Sequence, residues 1–571
     1  MKLMKRYLPQ ITLTLLLLVM AGLMIGPAHE ETATVDETTF MGGGYGYFQT
    51  GSTKMGEENP LLVQMLMAVP MLAMDVTVSK EARAVMEQQA FSPVGRRWRG
   101  GMAALRDLFP AGITFYHYGL AEAQHFGRIL VYDPHNRAEV MLFWARFVQI
   151  LFTLGTAVFV FLWARQLAGN AWAGVGGAAL WVFNPNALAY GHLAITEPGL
   201  TLMFPVTVWW FVKTVAMPTT RRVIILGVLC ALTMQMKYLA LMLGPLFIVM
   251  LLIGWLREKT VAPGGVLAKR VVLVGLGFWV TLLVIFFPHW SPPPPIEPGQ
   301  AEVLGVPGWF VAFRPLLMPG EFFKSVALKL LHSQAGHDAF LCGKWSESGW
   351  WYYYPAAMCY KTPLVLLALI AISVVLICRR AKTATLAELA PWIASAVYLA
   401  SALTSKVDIG VRHVLPVYPM LAVGVAVEFW RMGQNWKIGG VVGAAWLAGV
   451  AVAVAPDFIA YTNEWGGGTA NGYKVLLDSN YDWGQDGRRL KVWMEANHVP
   501  QIYLDFFGTQ TALEWHQIPH QHVTAETARQ IHQGVLVVSI SNLMREEWRW
   551  LRESRSPSDR VGYTLFVYRF P

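Results

Sequence analysis

The chain has 571 residues, 55% of them hydrophobic and only 14% charged, with a mean hydropathy of +0.41 and a formal net charge of +9. This composition excludes an ordinary soluble domain and a disordered chain, and describes a polytopic α-helical membrane protein. The basic surplus is no sign of nucleic-acid binding, because Lys and Arg in such chains gather in short cytoplasmic loops and set orientation.

The first apolar run, 7–26, follows Lys2, Lys5 and Arg6, so its start is cytoplasmic. Its length fits a span better than a signal peptide, while small residues at 26–28 leave cleavage open. It delivers Glu30, Glu31, Asp36 and Glu37 to the outer surface, followed by "MGGGYGYF", expected to be a loop whose glycines let backbone approach a ligand. "MGEENPLLVQMLMAVPMLAM" has a polar, acidic start and then an apolar stripe, as in a helix lying at the membrane interface.

Further apolar segments lie at 139–163, 171–190, 198–212, 223–236, 238–256, 271–288, 363–378, 389–403, 414–430 and 438–456, which with the first gives about eleven transmembrane helices. Reading 223–256 as one kinked span would invert every later loop. The basic clusters Arg257/Lys259/Lys269/Arg270 and Arg379/Arg380/Lys382 would then face outward, against the positive-inside tendency. With eleven spans the N-terminus is cytoplasmic and the part after 456 is external. The chain then divides into a membrane domain, 1–456, with large external loops at 27–138 and 289–362, and an extracytoplasmic α/β domain, 457–571. The second loop begins with "PHWSPPPPIEPG", a polyproline II stretch, and reaches "GWWYYYP", suited to the headgroup level. In the tail, "QIYLDFF", "VLVVSIS" and "YTLFVYRF" read as strands, and "GRRLKVWMEAN" and "TAETARQIHQ" as helices.

Chemistry is expected on the external side. Asp36 and Glu37 form an acidic pair; Glu58 and Asn59 precede the interfacial stripe; His192 and Glu197 stand at a span boundary. Arg146, Lys237, Lys361 and Arg412 lie at external ends of spans. Taken singly, such acids can be solvated and such cations can snorkel to headgroups. Together they describe a pocket suited to an anionic lipid: cations stabilise a phosphate leaving group while a carboxylate takes a proton from a hydroxyl.

Two patterns suggest metal and are set aside. "DSNYDWGQD" places Asp478, Asn480, Asp482 and Asp486 at the early spacing of a calcium-binding EF-hand loop. However, Gly484 is one position late and Arg489 stands where a bidentate Glu is needed, so a turn joining tail to membrane domain is expected. His516, His520, His522 and His532 have no Cys or Asp to complete a zinc set, and Cys230, Cys342, Cys359 and Cys378 have no ligand spacing. No metal site is assigned, and a divalent cation on the external carboxylates is left open.

Several stretches resemble the GT-C class of polyprenyl-phosphate-dependent glycosyltransferases, in particular protein O-mannosyltransferase-like and aminoarabinose-transferase-like proteins. "VDETTFMGG" is similar to their first external-loop motif, "ENPLL" to their "HPPL" element and "YGHLAITEPGLTL" to "GHLVTTDLPLTL". "GWWYYYPAAMCYKTPL" and "DIGVRHVLPVYP" resemble later segments, and "LLDSNYDWGQDGRRL" a signature after the last span in a bacterial branch. Asn59 and Leu61 depart from the His and second Pro usual in that element.

The resemblance implies a multi-pass inner-membrane enzyme that moves a sugar, with inversion, from a polyprenyl-phosphate donor to an acceptor hydroxyl. Asp36 of the Asp36–Glu37 pair is at the catalytic position and Glu197 is a second acid. Arg146, Lys237, Lys361 and Arg412 are the electrostatic candidates for the donor phosphate, and Glu58, Asn59 and His192 for acceptor or loop contacts. A transporter of a lipid-linked substrate, and an accessory protein retaining the fold without catalysis, are the alternatives.

Overall fold

The computed structural model describes residues 2–87, 122–258, 264–287, 290, 292, 312–313 and 316–571. The polyproline stretch lies almost wholly outside the described residues, as does 88–121 of the first external loop.

Every apolar segment predicted as a span is helical over most of its length. Six helices are long and apolar enough to cross a membrane: Tyr7–Glu30, Ala138–Ala168, Glu197–Ala216, Tyr238–Arg257, Gly264–Ile285 and Lys437–Val454. Shorter apolar helices, including Leu364–Arg379 and Leu386–Ala402, pack among them. Ala138–Ala168 and Val417–Arg431 are central, and nearly the whole of the latter is buried. Peripheral helices expose Val271, Val272 and Val284, or Val441, Val442 and Trp446, as expected where the neighbouring solvent is lipid. These features define an integral, polytopic helical membrane protein.

The ambiguous stretch 223–256 is two helices. Thr220–Met234 stops at Gln235, Lys237 is extended (φ −162°, ψ 136°), and a 3₁₀ turn, Tyr238–Met242, leads into Leu243–Glu258. The segment 171–190 is likewise broken, where Asn184 accepts a hydrogen bond from the Asn186 N–H and Pro185 opens a short new helix.

On the expected external side, α1 (Lys2–Glu30) leads through a short connection to α2 (Glu37–Thr50), then α3 (Leu61–Ala68). The "MGGG" stretch is part of α2 and not a loop. Its glycines serve packing: a Cβ on Gly43 would stand 1.9 Å from Gln64 Oε1, and one on Gly44 2.1 Å from the Gln64 carbonyl oxygen. They let α3 and the helical stretch 122–131 close against α2, and do not present backbone to a ligand.

Hairpin strands β1 (Ala339–Leu341) and β2 (Lys344–Ser346) belong to the second external loop. The tail holds β3 (Ile502–Asp505), β4 (His520–His522), β5 (Gly534–Ser539), β6 (Asp559–Val561) and β7 (Leu565–Phe570). They form one sheet of order β4-β3-β5-β7-β6, parallel across β4, β3 and β5 and antiparallel beyond. Alternation sets its two faces. Leu536, Val538, Phe566 and Tyr568 pack with Trp548 on one side, and Val535, Val537, Leu565 and Val567 with Leu490 and Met494 on the other. The expected helix at "GRRLKVWMEAN" is Gly487–Ala496, whereas "TAETARQIHQ" makes only a 3₁₀ turn, Thr527–Gln530.

Candidate active site

Asp36 and Glu37 are adjacent at the start of α2 and point to different worlds. Glu37 is fully buried and accepts from Arg146 Nε and Nη2 (both 2.8 Å) and from the Thr34 and Ala194 N–H groups (both 2.8 Å). Burial alone would raise its carboxyl, but Arg146 and these donors outweigh that and hold it below its ordinary value. Arg146 gives its remaining N–H groups to the carbonyls of Ala28, Glu31 and Thr32. This saturated pair stitches α1, α2 and Ala138–Ala168 together, and neither member is among the residues that line the two cavities described below.

His192 and Lys361 are also turned inward. His192 bridges Glu31 (Nε2 to Oε2, 2.9 Å) and the Leu188 carbonyl, and Lys361 Nζ donates to the carbonyls of Ile459 and Asn480, both at 2.7 Å. Sequence depth could not separate these from cavity-lining groups, because a buried polar group needs partners whether or not it faces a ligand.

The other nominated residues meet. Asp36, Glu58, Asn59, Glu197, Lys237 and Arg412 line one cavity of about 320 Å³ between the membrane helices, β1–β2 and the tail. Arg412 is at its centre: Nη1 donates to Asp36 Oδ2 (3.1 Å) and lies 3.5 Å from Glu197 Oε1, and Nε donates to Ser479 Oγ (3.1 Å). Its guanidinium covers the Trp483 ring at 4.1 Å, and Nη2 makes no hydrogen bond among the described residues. Lys237 Nζ donates to Glu197 Oε1 (2.6 Å) and lies 3.3 Å from His413 Nδ1. Of the Asp36–Glu37 pair, Asp36, partly exposed, is the carboxylate that reaches this space.

A further cation, Lys329, and a histidine, His332, come from a helix that sequence reading passed over. Gly320–Ala335 places Lys329 and His332 one turn apart, and both engage Glu58, Lys329 Nζ at 2.8 Å. Burial would raise the Glu58 carboxyl, but these two groups hold it far below its ordinary value. The i, i+3 spacing was a usable signal within a loop read only for its prolines and aromatics.

A second cavity, about 410 Å³, adjoins the first and shares Glu58, Asn59, Lys237, Lys329, Val407 and His413 with it. Its remaining wall is largely apolar, including Leu239, Leu241, Met242, Pro245, Val326 and Leu330. A largely apolar chamber thus adjoins a charged one, with Lys237, Lys329 and Glu58 in the wall they share.

The tail closes the charged chamber. Tyr190 Oη donates to the Ser479 carbonyl (2.8 Å), and Asn480 accepts from the Val411 N–H (2.8 Å) and donates to Tyr353 Oη (2.9 Å). Glycine is needed at 410 because a Cβ there would stand 2.2 Å from Ser479 Oγ. The carboxylates of "DSNYDWGQD" diverge: Asp482 accepts from the Ser541 N–H (3.1 Å) and Asp486 from the Thr564 hydroxyl (2.8 Å), while Asp478 lines the cavity. Among the described residues no group of three or more His, Cys, Asp or Glu is placed to hold a metal ion.

Residues 139–289 match the family model described as "Dolichyl-phosphate-mannose-protein mannosyltransferase", so the resemblance to that class of glycosyltransferase holds independently over this segment. No curated protein is matched by sequence. Among solved structures, ArnT from Cupriavidus metallidurans in the apo state aligns over 97% of both chains at 13% identity with a TM-score of 0.47. The same protein bound to undecaprenyl phosphate aligns over the same shares at 12% identity, TM-score 0.45. The archaeal oligosaccharyltransferase AglB from Archaeoglobus fulgidus, in complex with an inhibitory peptide and a dolichol-phosphate, aligns over 99% of this chain and 74% of its own at 12% identity, TM-score 0.43.

Proposed function

We propose that the protein is a membrane glycosyltransferase that moves a sugar from a polyprenyl-phosphate donor to an acceptor hydroxyl on the extracytoplasmic side. The observation that carries this reading is an apolar cavity adjoining, across a wall that holds Lys237 and Lys329, a chamber lined also by Asp36 and Arg412. A polyprenyl chain suits the first and a phosphodiester the cationic wall between them.

In the reaction, the acceptor oxygen attacks the anomeric carbon opposite the phosphate. The sugar C1–O bond to phosphate breaks as the new C1–O bond forms, and the configuration inverts. Asp36 takes the hydroxyl proton, while Lys237, Lys329 and Arg412 stabilise the departing polyprenyl phosphate. Glu197 holds Lys237 and Arg412 in place through contacts of 2.6 and 3.5 Å. Asn59 lines both chambers, and its substitution for the usual His removes a titratable group from the wall they share. The enzyme works as 1–456 carrying the site and 457–571 covering it, in the inner membrane with the tail outside.

Incubating membranes that contain the protein with radiolabelled undecaprenyl-phosphate hexoses and pentoses should transfer label to an endogenous acceptor. Asp36→Asn should lower that transfer by about 10²- to 10⁴-fold, the usual worth of a general base, with the melting temperature kept. Movement of a lipid-linked sugar across the bilayer without transfer would favour a transporter. Absence of both would favour an accessory protein. Full activity in Asp36→Asn would move the base elsewhere.

A further inference from the structure

Asp478 is the one cavity carboxylate supplied by the tail, and its surroundings are unlike those of the other acids there. Asp36 and Glu197 contact Arg412, Glu197 also Lys237, Glu58 meets Lys329 and His332, and Asp338 pairs with Arg545 at 3.3 Å. Asp478 makes no ion pair among the described residues. Its Oδ1 accepts only the N–H of the next residue, Ser479, at 2.5 Å, and its Oδ2 makes no hydrogen bond there. Its backbone is left-handed (φ +55°), a conformation that disfavours most side chains and that Gly, Asn and Asp enter more readily than others. Burial pushes its carboxyl up, with Asp36 adding to the rise and His337 and Arg412 opposing it.

The turn uses one oxygen of this carboxylate, on the Ser479 N–H, and leaves the other unused. The segment is fastened by Ser479 and Asn480, whose groups bind Tyr190, Val411, Tyr353 and Arg412. A glycine or asparagine would make the same backbone turn. We propose that Asp478 reads the acceptor: its free oxygen accepts a hydrogen bond from a second donor group of the acceptor, a hydroxyl or an ammonium near the nucleophilic hydroxyl, and so orients that hydroxyl toward Asp36. This inference rests on the transfer reading above. It adds that the tail confers acceptor selection, and that an acceptor with a lone hydroxyl and no second donor is a poor substrate.

The test uses the full-length purified protein in lipid, heat-treated membranes as the source of acceptor, and a labelled undecaprenyl-phosphate sugar that the wild type uses. Asp478→Asn and Asp478→Gly both preserve the left-handed turn. In each, the plateau transfer rate is expected to fall by roughly tenfold or more, the worth of a hydrogen bond to a charged group, while the donor KM is unchanged. N-acetylating the acceptor membranes beforehand should abolish the difference between wild type and variants if the second donor is an ammonium, and preserve it if it is a hydroxyl. Wild-type plateau rates in both variants would overturn the proposal, and so would a donor KM that rises in step with the loss. If the wild type transfers no label from any donor in the panel, the transfer reading fails, and this inference falls with it.

Discussion

Arg146 and Arg412 illustrate how one residue type takes opposite parts according to what surrounds it. Arg146 is sealed and spends its donors on Glu37 and three carbonyls, whereas Arg412 keeps Nη2 unbonded at a cavity. Removing one partner of a buried pair leaves an uncompensated charge and costs about 3–5 kcal/mol. Arg146→Met should therefore lower the yield and melting temperature of the protein, while Arg412→Met should fold, bind undecaprenyl phosphate weakly and transfer little. Melting curves in lipid alongside label transfer check the contrast; equal losses of stability in the two would refute it. Only the family resemblance singled out Asp36 from Glu37, because successive residues entering a helix differ by about 100° in direction, and no periodic signal says which direction is the cavity. Lys329 and His332 escaped notice for the opposite reason: their helix follows a proline-rich stretch that set the expectation of irregular structure.

The elements legible in advance were those with sustained apolar runs or strict alternation: the membrane helices and the three long tail strands. The glycines of α2 misled, since close helix packing and close ligand approach ask for the same residue, and only Gln64 across the interface distinguishes them. Gly44→Ala should therefore lower the melting temperature without changing the donor KM, because the added methyl must displace the backbone of α3; over-packing of this kind costs about 1–3 kcal/mol. The packing of the tail itself carries a pH signature, because Asp482 and Asp486 bond within the tail, to Ser541, Gly484 and Thr564, and not across to the membrane helices as expected. Burial pushes the Asp482 carboxyl up to about 8 and that of Asp486 up to about 6, from 3.8 in both. Between those values the folded protein holds protons that the unfolded chain has released. The stability these groups contribute is therefore complete below about pH 4 and is lost as pH rises, up to about 6 for Asp486 and about 8 for Asp482. Melting temperatures measured from pH 5 to 8 should decline more steeply in the wild type than in Asp482→Asn, and parallel slopes would show the carboxyl to be ionised throughout. Asp482→Ala should destabilise the tail at every pH, because the Ser541 and Gly484 N–H groups lose their acceptor.

For the whole molecule, the proposed topology puts both external loops and the tail on one side of the membrane. A reporter active only outside the cytoplasm should be active when fused after Phe570 and silent when fused at Lys382; the reverse pattern would also invert the location of the site. The motifs "DIGVRHVLPVYP" and "DSNYDWGQD" were legible as motifs, but not as partners, because nothing local in either announces that Gly410 lies against Ser479 and Arg412 over Trp483. That partnership bears on how the protein is made. Domains emerge in order during synthesis, and the residues that close the chamber are translated after every membrane helix. A nascent chain can therefore insert its whole membrane part and still have an unroofed chamber, with Arg412 lacking both Ser479 and Trp483. On the proposed topology and function, transfer starts only when the tail folds and docks, so half-built copies in the bilayer would leave a lipid-borne sugar unspent.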